Sequence, residues 1–163
     1  MKTFILVLLA CTFAFPQEKE TANNNIYLEL LGNGILSSIN YEHTYSNNFT
    51  MRIGVGWVFS NSESNSGGHH STAFFPLAMV NYLIDIYGNN YLEIGGGFLI
   101  ATSELTFSDS FNNPNNITFV PTFALGYRYS PKDGGFFFSL AFDLFTYPPQ
   151  VMPWGGLGLG YKF

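Results

Sequence analysis

The chain has 163 residues, 47% of them hydrophobic, 18% aromatic and only 10% charged. A soluble domain of this size carries about 25% charged residues, so a water-solvated surface is hard to build from this composition. Six Lys+Arg against eleven Asp+Glu give a net charge of −5, which leaves no basic stripe for phosphates and excludes nucleic acid as a partner. The 18 Phe and 10 Tyr exclude a disordered chain, and a helical membrane protein of several spans would need about 20 consecutive apolar residues for each.

Met1 and Lys2 precede the apolar run Phe4–Phe15, which ends at Pro16-Gln17-Glu18-Lys19-Glu20. A cationic start, an apolar stretch too short to span a bilayer and a polar exit predict a secretory signal peptide over residues 1–16. Leu8-Leu9-Ala10-Cys11 has the outline of a lipidation box, but few residues precede it. Cys11 is the only cysteine; removed with the signal, it leaves a mature chain whose stability must come from packing or from a bilayer. Residues 17–24 read as a flexible leader and 25–163 as one domain.

Within that domain, period-2 alternation dominates. Eight segments are expected as strands: Ile26–Leu31, Ile35–Tyr45, Phe49–Phe59, Thr72–Ile84, Tyr91–Ala101, Ile117–Tyr129, Phe136–Leu144 and Trp154–Phe163. In the third, Phe49, Met51, Ile53, Val55, Trp57 and Phe59 oppose Thr50, Arg52, Gly54, Gly56 and Val58. In the last, Leu157, Leu159, Tyr161 and Phe163 oppose Gly156, Gly158, Gly160 and Lys162. Segment four is apolar on both faces and holds Pro76; Asn81 argues that Phe75, Leu77 and Met79 share its inward face. The uncharged stretch Leu144–Tyr161 resembles a membrane helix in hydropathy only, since three prolines and four glycines forbid one there.

One face of these strands is bulky and apolar, the other small or polar. A soluble barrel turns the apolar face inward, yet the glycine-rich face here cannot fill a dry core. A barrel in an outer membrane reverses the rule, with apolar residues toward lipid. The connections agree with that reading. Short links (Ser46–Asn48, Asp85–Asn90, Ser130–Gly135) alternate with longer ones (Ser60–Ser71, Thr102–Asn116, Phe145–Pro153), as periplasmic turns alternate with extracellular loops. Gly32-Asn33-Gly34 breaks this rhythm.

The closing run Leu157-Gly158-Leu159-Gly160-Tyr161-Lys162-Phe163 resembles the C-terminal signal by which outer-membrane barrels are recognised for assembly. With the signal peptide and eight strands, residues 25–163 resemble the small outer-membrane β-barrel proteins of OmpA/OmpX-like architecture. The resemblance implies an all-β fold, an eight-stranded antiparallel up-and-down barrel. It also implies a location in the outer membrane of a Gram-negative-type bacterium, and the lipid bilayer and the barrel-assembly machinery as partners, with Leu157, Leu159, Tyr161 and Phe163 as the assembly signal.

Eight strands enclose only enough room for side chains. Parity places Glu29, Glu42, Arg52, Glu93, Arg128 and Lys162 inside, mostly toward the periplasmic half. Buried charges are tolerable when paired, so a neutral ion-pair network that plugs the barrel is expected, with a gated ion path as the alternative. Inward glycines make room for larger neighbours such as Tyr27 and Tyr91. Aromatic residues gather at strand ends, and Trp57, Tyr129, Phe136 and Trp154 are read as interface aromatics.

Candidate chemistry is sparse. His69-His70 beside Glu63 lacks a third ligand at regular spacing, and no metal or other cofactor is expected. Asp143, with Glu104 and Asp109 nearby, reads as an acid at the outer mouth, and His43 as an outward residue at the opposite rim. The glycines of Gly155–Gly160 precede no helix and so form no nucleotide cradle. A lipid-modifying enzyme would need a nucleophile and a base at the outer mouth; Ser71, Ser108, Ser110 and His70 are the residues that could meet there. The reading is therefore a non-enzymatic barrel contributing to envelope structure, or to surface interaction with an unidentified ligand through its loops. A lipid-modifying enzyme and a soluble exported lipid-binding barrel are the alternatives.

Overall fold

A computed structural model describes residues 22–46, 48–64, 67–101, 118–147 and 150–163, those at 46, 60–64, 67–71, 147 and 150 by their backbone alone. Residues 1–21, with the expected signal peptide and most of the leader, fall outside these, as do Glu104, Ser108, Asp109, Ser110 and the side chains of Glu63, His69, His70 and Ser71.

Eight antiparallel strands form one closed barrel in simple sequence order: β1 (Asn24–Leu31), β2 (Ser37–Ser46), β3 (Phe49–Ser64), β4 (Gly67–Tyr87), β5 (Asn90–Ala101), β6 (Thr118–Tyr129), β7 (Gly135–Tyr147) and β8 (Gln150–Lys162). Pairing of β1 with β8, from Asn25↔Lys162 to Leu31↔Gly156, closes the ring. Closure removes the exposed edges that an open sheet would present. Both ends of the barrel sequence lie at one mouth with the turns after β2, β4 and β6. We call this the terminal mouth, and the opposite end the far mouth.

The alternation seen in the sequence is carried into burial with polarity reversed relative to a soluble barrel. On β3, Ile53 is 60% exposed while its neighbour Arg52 is buried; on β6, Leu125 is 50% exposed and Thr122 buried. On β4, Phe75, Leu77, Met79 and Asn81 face inward and Phe74, Val80 and Tyr82 outward. Pro76 stands one residue before the β4–β5 ladder begins at Leu77↔Leu99, the place in a strand where a missing N–H costs least. Inward glycine lies against inward bulk: a side chain at Gly160 would strike Tyr27, and one at Gly56 the ring of Phe75.

Two connections differ from expectation. Ser60–Ser71 is not a loop: β3 and β4 stay paired from Ser60↔Ser71 to Ser64↔Gly67. Phe145–Pro153 is likewise mostly strand, with β7 and β8 paired to Tyr147↔Gln150. Polar, Ser- and Asn-rich composition reports that side chains meet water; it does not stop the backbone groups of an antiparallel pair from satisfying one another.

The third difference is the link from β1 to β2. Residues Gly32–Gly34 form one 3-10 turn that folds into the lumen, and Gly32, Asn33, Gly34 and Ile35 are all buried. The turn forces positive φ at Leu31 (60°) and Ile35 (64°), a strain of about 1–3 kcal/mol for each non-glycine residue. Gly32, at φ 64°, makes the entry feasible: a Cβ there would lie 2.8 Å from Glu29 Cδ and 3.1 Å from Gly156 Cα.

Candidate functional site

The lumen is the only described place where buried charge collects, and it is layered. Nearest the middle, Arg52 (β3) donates from Nη2 to Glu29 Oε2 at 2.8 Å and from Nη1 to Glu29 Oε1 at 3.3 Å. Glu29 also accepts from Ser38 Oγ at 3.1 Å, and Ser38 in turn accepts from Asn40 Nδ2 at 2.8 Å. Arg128 (β6) holds two carboxylates. Its Nη1 and Nη2 reach Glu42 at 2.5 and 2.9 Å, while Nε and Nη2 reach Glu93 at 2.9 and 2.6 Å. Asn25 Nδ2 adds a bond to Glu42 Oε1 at 2.8 Å, and Asn81 Nδ2 one to Oε2 at 3.3 Å.

Aromatic rings floor these cations. The Arg52 guanidinium lies 5.6 Å from the Tyr27 ring centroid and that of Arg128 lies 5.0 Å from Phe137; Tyr27 and Phe137 pack at 4.8 Å. Desolvated cation–π contacts of this kind are worth up to about 2 kcal/mol. Phe137 was not singled out from the sequence; its parity, one residue from outward Phe136, is the signal that locates it.

Lys162 is also inward and buried, but none of the three ion pairs includes it. Asp143 is the principal correction. It is not a rim acid: it is fully buried and its Oδ1 accepts from Asn33 Nδ2 at 2.6 Å. Thr122 Oγ1 donates to Asn33 Oδ1, and Trp154 Nε1 donates to the Ile35 carbonyl at 2.9 Å. The inward turn is thus held to β6, β7 and β8. With Asp143 included, the buried charged side chains among the described residues are four carboxylates against three cations, rather than a neutral set of six. Beyond the turn, Ile35, Ala73, Phe75, Leu77, Leu99, Ala101, Val120 and Phe145 form an apolar plug at the far mouth.

The remaining candidates are scattered over the outside. Leu157, Leu159, Tyr161 and Phe163 lie on β8 and just beyond it, the last three exposed. Phe136 is exposed at the terminal mouth and Tyr129 partly buried there; Trp57 is partly buried opposite Ser37 and Phe74. The polar edge of Trp154 is occupied by Ile35 rather than free for an interface. His43 is partly buried, its Nδ1 at 2.8 Å from Asn24 Oδ1, which also accepts from Tyr41 Oη at 2.7 Å. Among the described residues no three His, Cys, Asp or Glu side chains gather as a metal site.

These features define a class by architecture: a closed, inside-out, eight-stranded antiparallel barrel with a filled lumen. In fold the chain is similar to the N-terminal β-barrel domain of OprF from Pseudomonas aeruginosa, with a TM-score of 0.57, 11% identity, and coverage of 89% of this chain and 98% of that one. The attachment invasion locus protein Ail of Yersinia pestis also matches, with a TM-score of 0.43, 14% identity, and coverage of 90% and 99%. No protein-family model and no curated protein matches the chain.

Proposed function

We propose that this chain is an integral outer-membrane barrel with a non-enzymatic role, contributing to envelope structure or to contacts at the cell surface. The observation that carries the reading is the inverted polarity of a closed barrel. Ile26, Ile39, Ile53, Phe74, Phe119, Leu125 and Phe142 are exposed on its outside while Arg52, Arg128 and three glutamates are buried within. Water would penalise that outside by roughly 25 cal/mol for each Å² of apolar surface, and hydrocarbon would not. The terminal mouth is then periplasmic, and the far mouth, with the prolonged β3–β4 hairpin, is extracellular. A spanning strand needs about 9–11 residues, whereas β4 has 21, so that hairpin reaches well past the bilayer and supplies a surface for an external ligand. The barrel-assembly machinery is the partner proposed for the β8 terminus. The ion pairs and the apolar plug act as a filling that sets the arrangement of the strands, without a continuous aqueous path.

The test is fractionation of envelopes followed by gel migration with and without boiling. Recovery in the outer-membrane fraction with heat-modifiable migration is the expected result. Recovery from periplasm without detergent would replace this reading with a soluble lipid-binding barrel. An altered acyl pattern in envelope lipids, dependent on the protein, would replace it with an enzyme.

A further inference from the structure

Asp143 differs from the other buried acids of the lumen in how few donors meet it. Among the described residues, Glu42 accepts from Arg128 twice and from Asn25 and Asn81 once each. Glu29 accepts from Arg52 twice and from Ser38, and Glu93 from Arg128 twice. Asp143, fully buried, accepts from one neutral donor, Asn33 Nδ2 at 2.6 Å, and its Oδ2 has no hydrogen-bond partner. It enters none of the ion pairs found among the described residues.

Its surroundings explain the shortage. Across the strands its neighbours are Ala124 on β6 and Trp154 on β8, and the inward turn contributes Asn33; none of these ionises. The charged groups whose fields reach it are Glu29 on β1, Arg52 on β3 and Glu93 on β5. Both terminal nitrogens of Arg52 go to Glu29, and its Nε is buried without a partner, so it does not reach Asp143 either. Glu93 shares Arg128 with Glu42. A buried carboxylate is tolerable when a cation or several N–H donors meet it. One neutral donor suits the protonated acid, whose carbonyl oxygen still accepts from Asn33.

The same side chain anchors a strained element. Leu31 and Ile35 flank the turn at φ 60° and 64°, and that strain opposes its inward seat. Against it stand three side-chain tethers: Asn33 to Asp143, Thr122 to Asn33, and Trp154 to the Ile35 carbonyl. The seat is close-fitting, since a Cβ at Gly156 would lie 2.8 Å from Gly32 Cα and 3.2 Å from Asp143 Oδ2. A charge on Asp143 would add an uncompensated desolvation cost to the strain, and both are relieved when the turn loosens and water reaches the carboxylate.

We propose that the inward turn is a proton-operated latch, seated while Asp143 is a neutral acid and loosened toward the far mouth when that acid ionises. The proton leaves the Asp143 carboxyl for water, and no other covalent bond changes. Linkage gives the sign: the seat is favoured at acid pH and weakens as pH rises, because the loosened turn binds fewer protons than the seated one. The latch rests on contacts inside the barrel and holds whichever side of a membrane the far mouth faces.

The experiment titrates the barrel with pH after refolding in an uncharged glycoside detergent, with Trp57→Phe so that Trp154, tethered to Ile35, is the single tryptophan. The expected result is a red shift of Trp154 emission as pH rises above the ordinary aspartate value of about 3.9. Asp143→Asn is neutral at every pH, keeps an acceptor for Asn33, and is expected to abolish the shift. Carbon-13 labelling of the aspartate carboxyls gives a second reading that needs no change at residue 143: one carboxyl resonance titrates in step with the emission, and it is missing from Asp143→Asn. If Asp143→Asn does not refold, that coincidence in the unsubstituted site carries the comparison. Emission that stays flat with pH, carboxyl resonances that all titrate as exposed aspartates do, or the same emission shift in Asp143→Asn would overturn the proposal.

Discussion

Replacement of Arg128 by leucine removes the one group that neutralises two buried carboxylates. Arg128 is 1% exposed, Glu42 is fully buried and the Glu93 side chain is 7% exposed. Each carboxylate has two guanidinium bonds, and the guanidinium also stacks on Phe137 at 5.0 Å. Removing one partner of a buried pair costs about 3–5 kcal/mol, because the other charge is left uncompensated; loss of the cation–π contact adds about 1 kcal/mol. Arg128→Leu is therefore expected to destabilise the barrel by about 4–6 kcal/mol. Arg52→Leu leaves a single carboxylate, Glu29, still bonded to Ser38, and is expected to cost less, about 3 kcal/mol. The assay is urea unfolding in phospholipid vesicles, read by the fluorescence of Trp57 and Trp154 and by heat-modifiable migration. The same arithmetic predicts compensation. Combining Arg128→Met with Glu42→Leu and Glu93→Leu removes the stranded charges and restores most of the loss, since apolar substitutes for a buried ionic cluster are often neutral or better. A shift below about 1 kcal/mol for Arg128→Leu, or no recovery in the triple variant, would mean that Arg128 does not hold these carboxylates.

Two further outcomes follow from particular contacts. Asn33→Ala removes the donor to Asp143 and the acceptor of Thr122, leaving the Asp143 carboxylate buried without its Asn33 bond; a cost of about 1–3 kcal/mol and faster protease cutting within residues 31–36 are expected, and unchanged cutting would count against the turn as an inward element. Gly160→Val drives its side chain into the Ile26 carbonyl and the Tyr27 Cα and Cβ and is expected to abolish refolding, which adding Tyr27→Ala does not restore because those atoms stay in place; refolding yields measured side by side decide this.

How legible the molecule is in its sequence varies with the physical signal. Strand facing was readable because a closed barrel between lipid and a filled lumen imposes a strict period of two: Phe49–Phe59 separates cleanly into an outward apolar set and Thr50, Arg52, Gly54, Gly56 and Val58. The same parity located the buried charges, since a lone Arg128 or Glu93 in an apolar strand has one face on which it is tolerable. The partition of Arg128 between Glu42 and Glu93 depends on their heights across five strands, which local pattern does not encode. The inward fold of Gly32–Gly34 was illegible for a different reason: Gly-Asn-Gly is turn chemistry at any depth, and only the Asp143, Thr122 and Trp154 partners, about 90 to 120 residues away, draw it into the lumen. The burial of Asp143 is hidden for the same cause, because its partner Asn33 lies on that inward turn. The pairing of residues 60–64 with 67–71 is hidden by their polarity.

Whether the apolar outside of this barrel faces lipid is decided by site-directed spin labels. With Cys11, the chain's only cysteine, replaced by serine, cysteines introduced singly at Ile53 and Leu125, outward positions on β3 and β6, carry the labels in reconstituted vesicles. Strong relaxation by lipid-soluble oxygen and weak relaxation by a water-soluble nickel chelate at both sites is the predicted result. Strong relaxation by the chelate at both would place that outside in water instead.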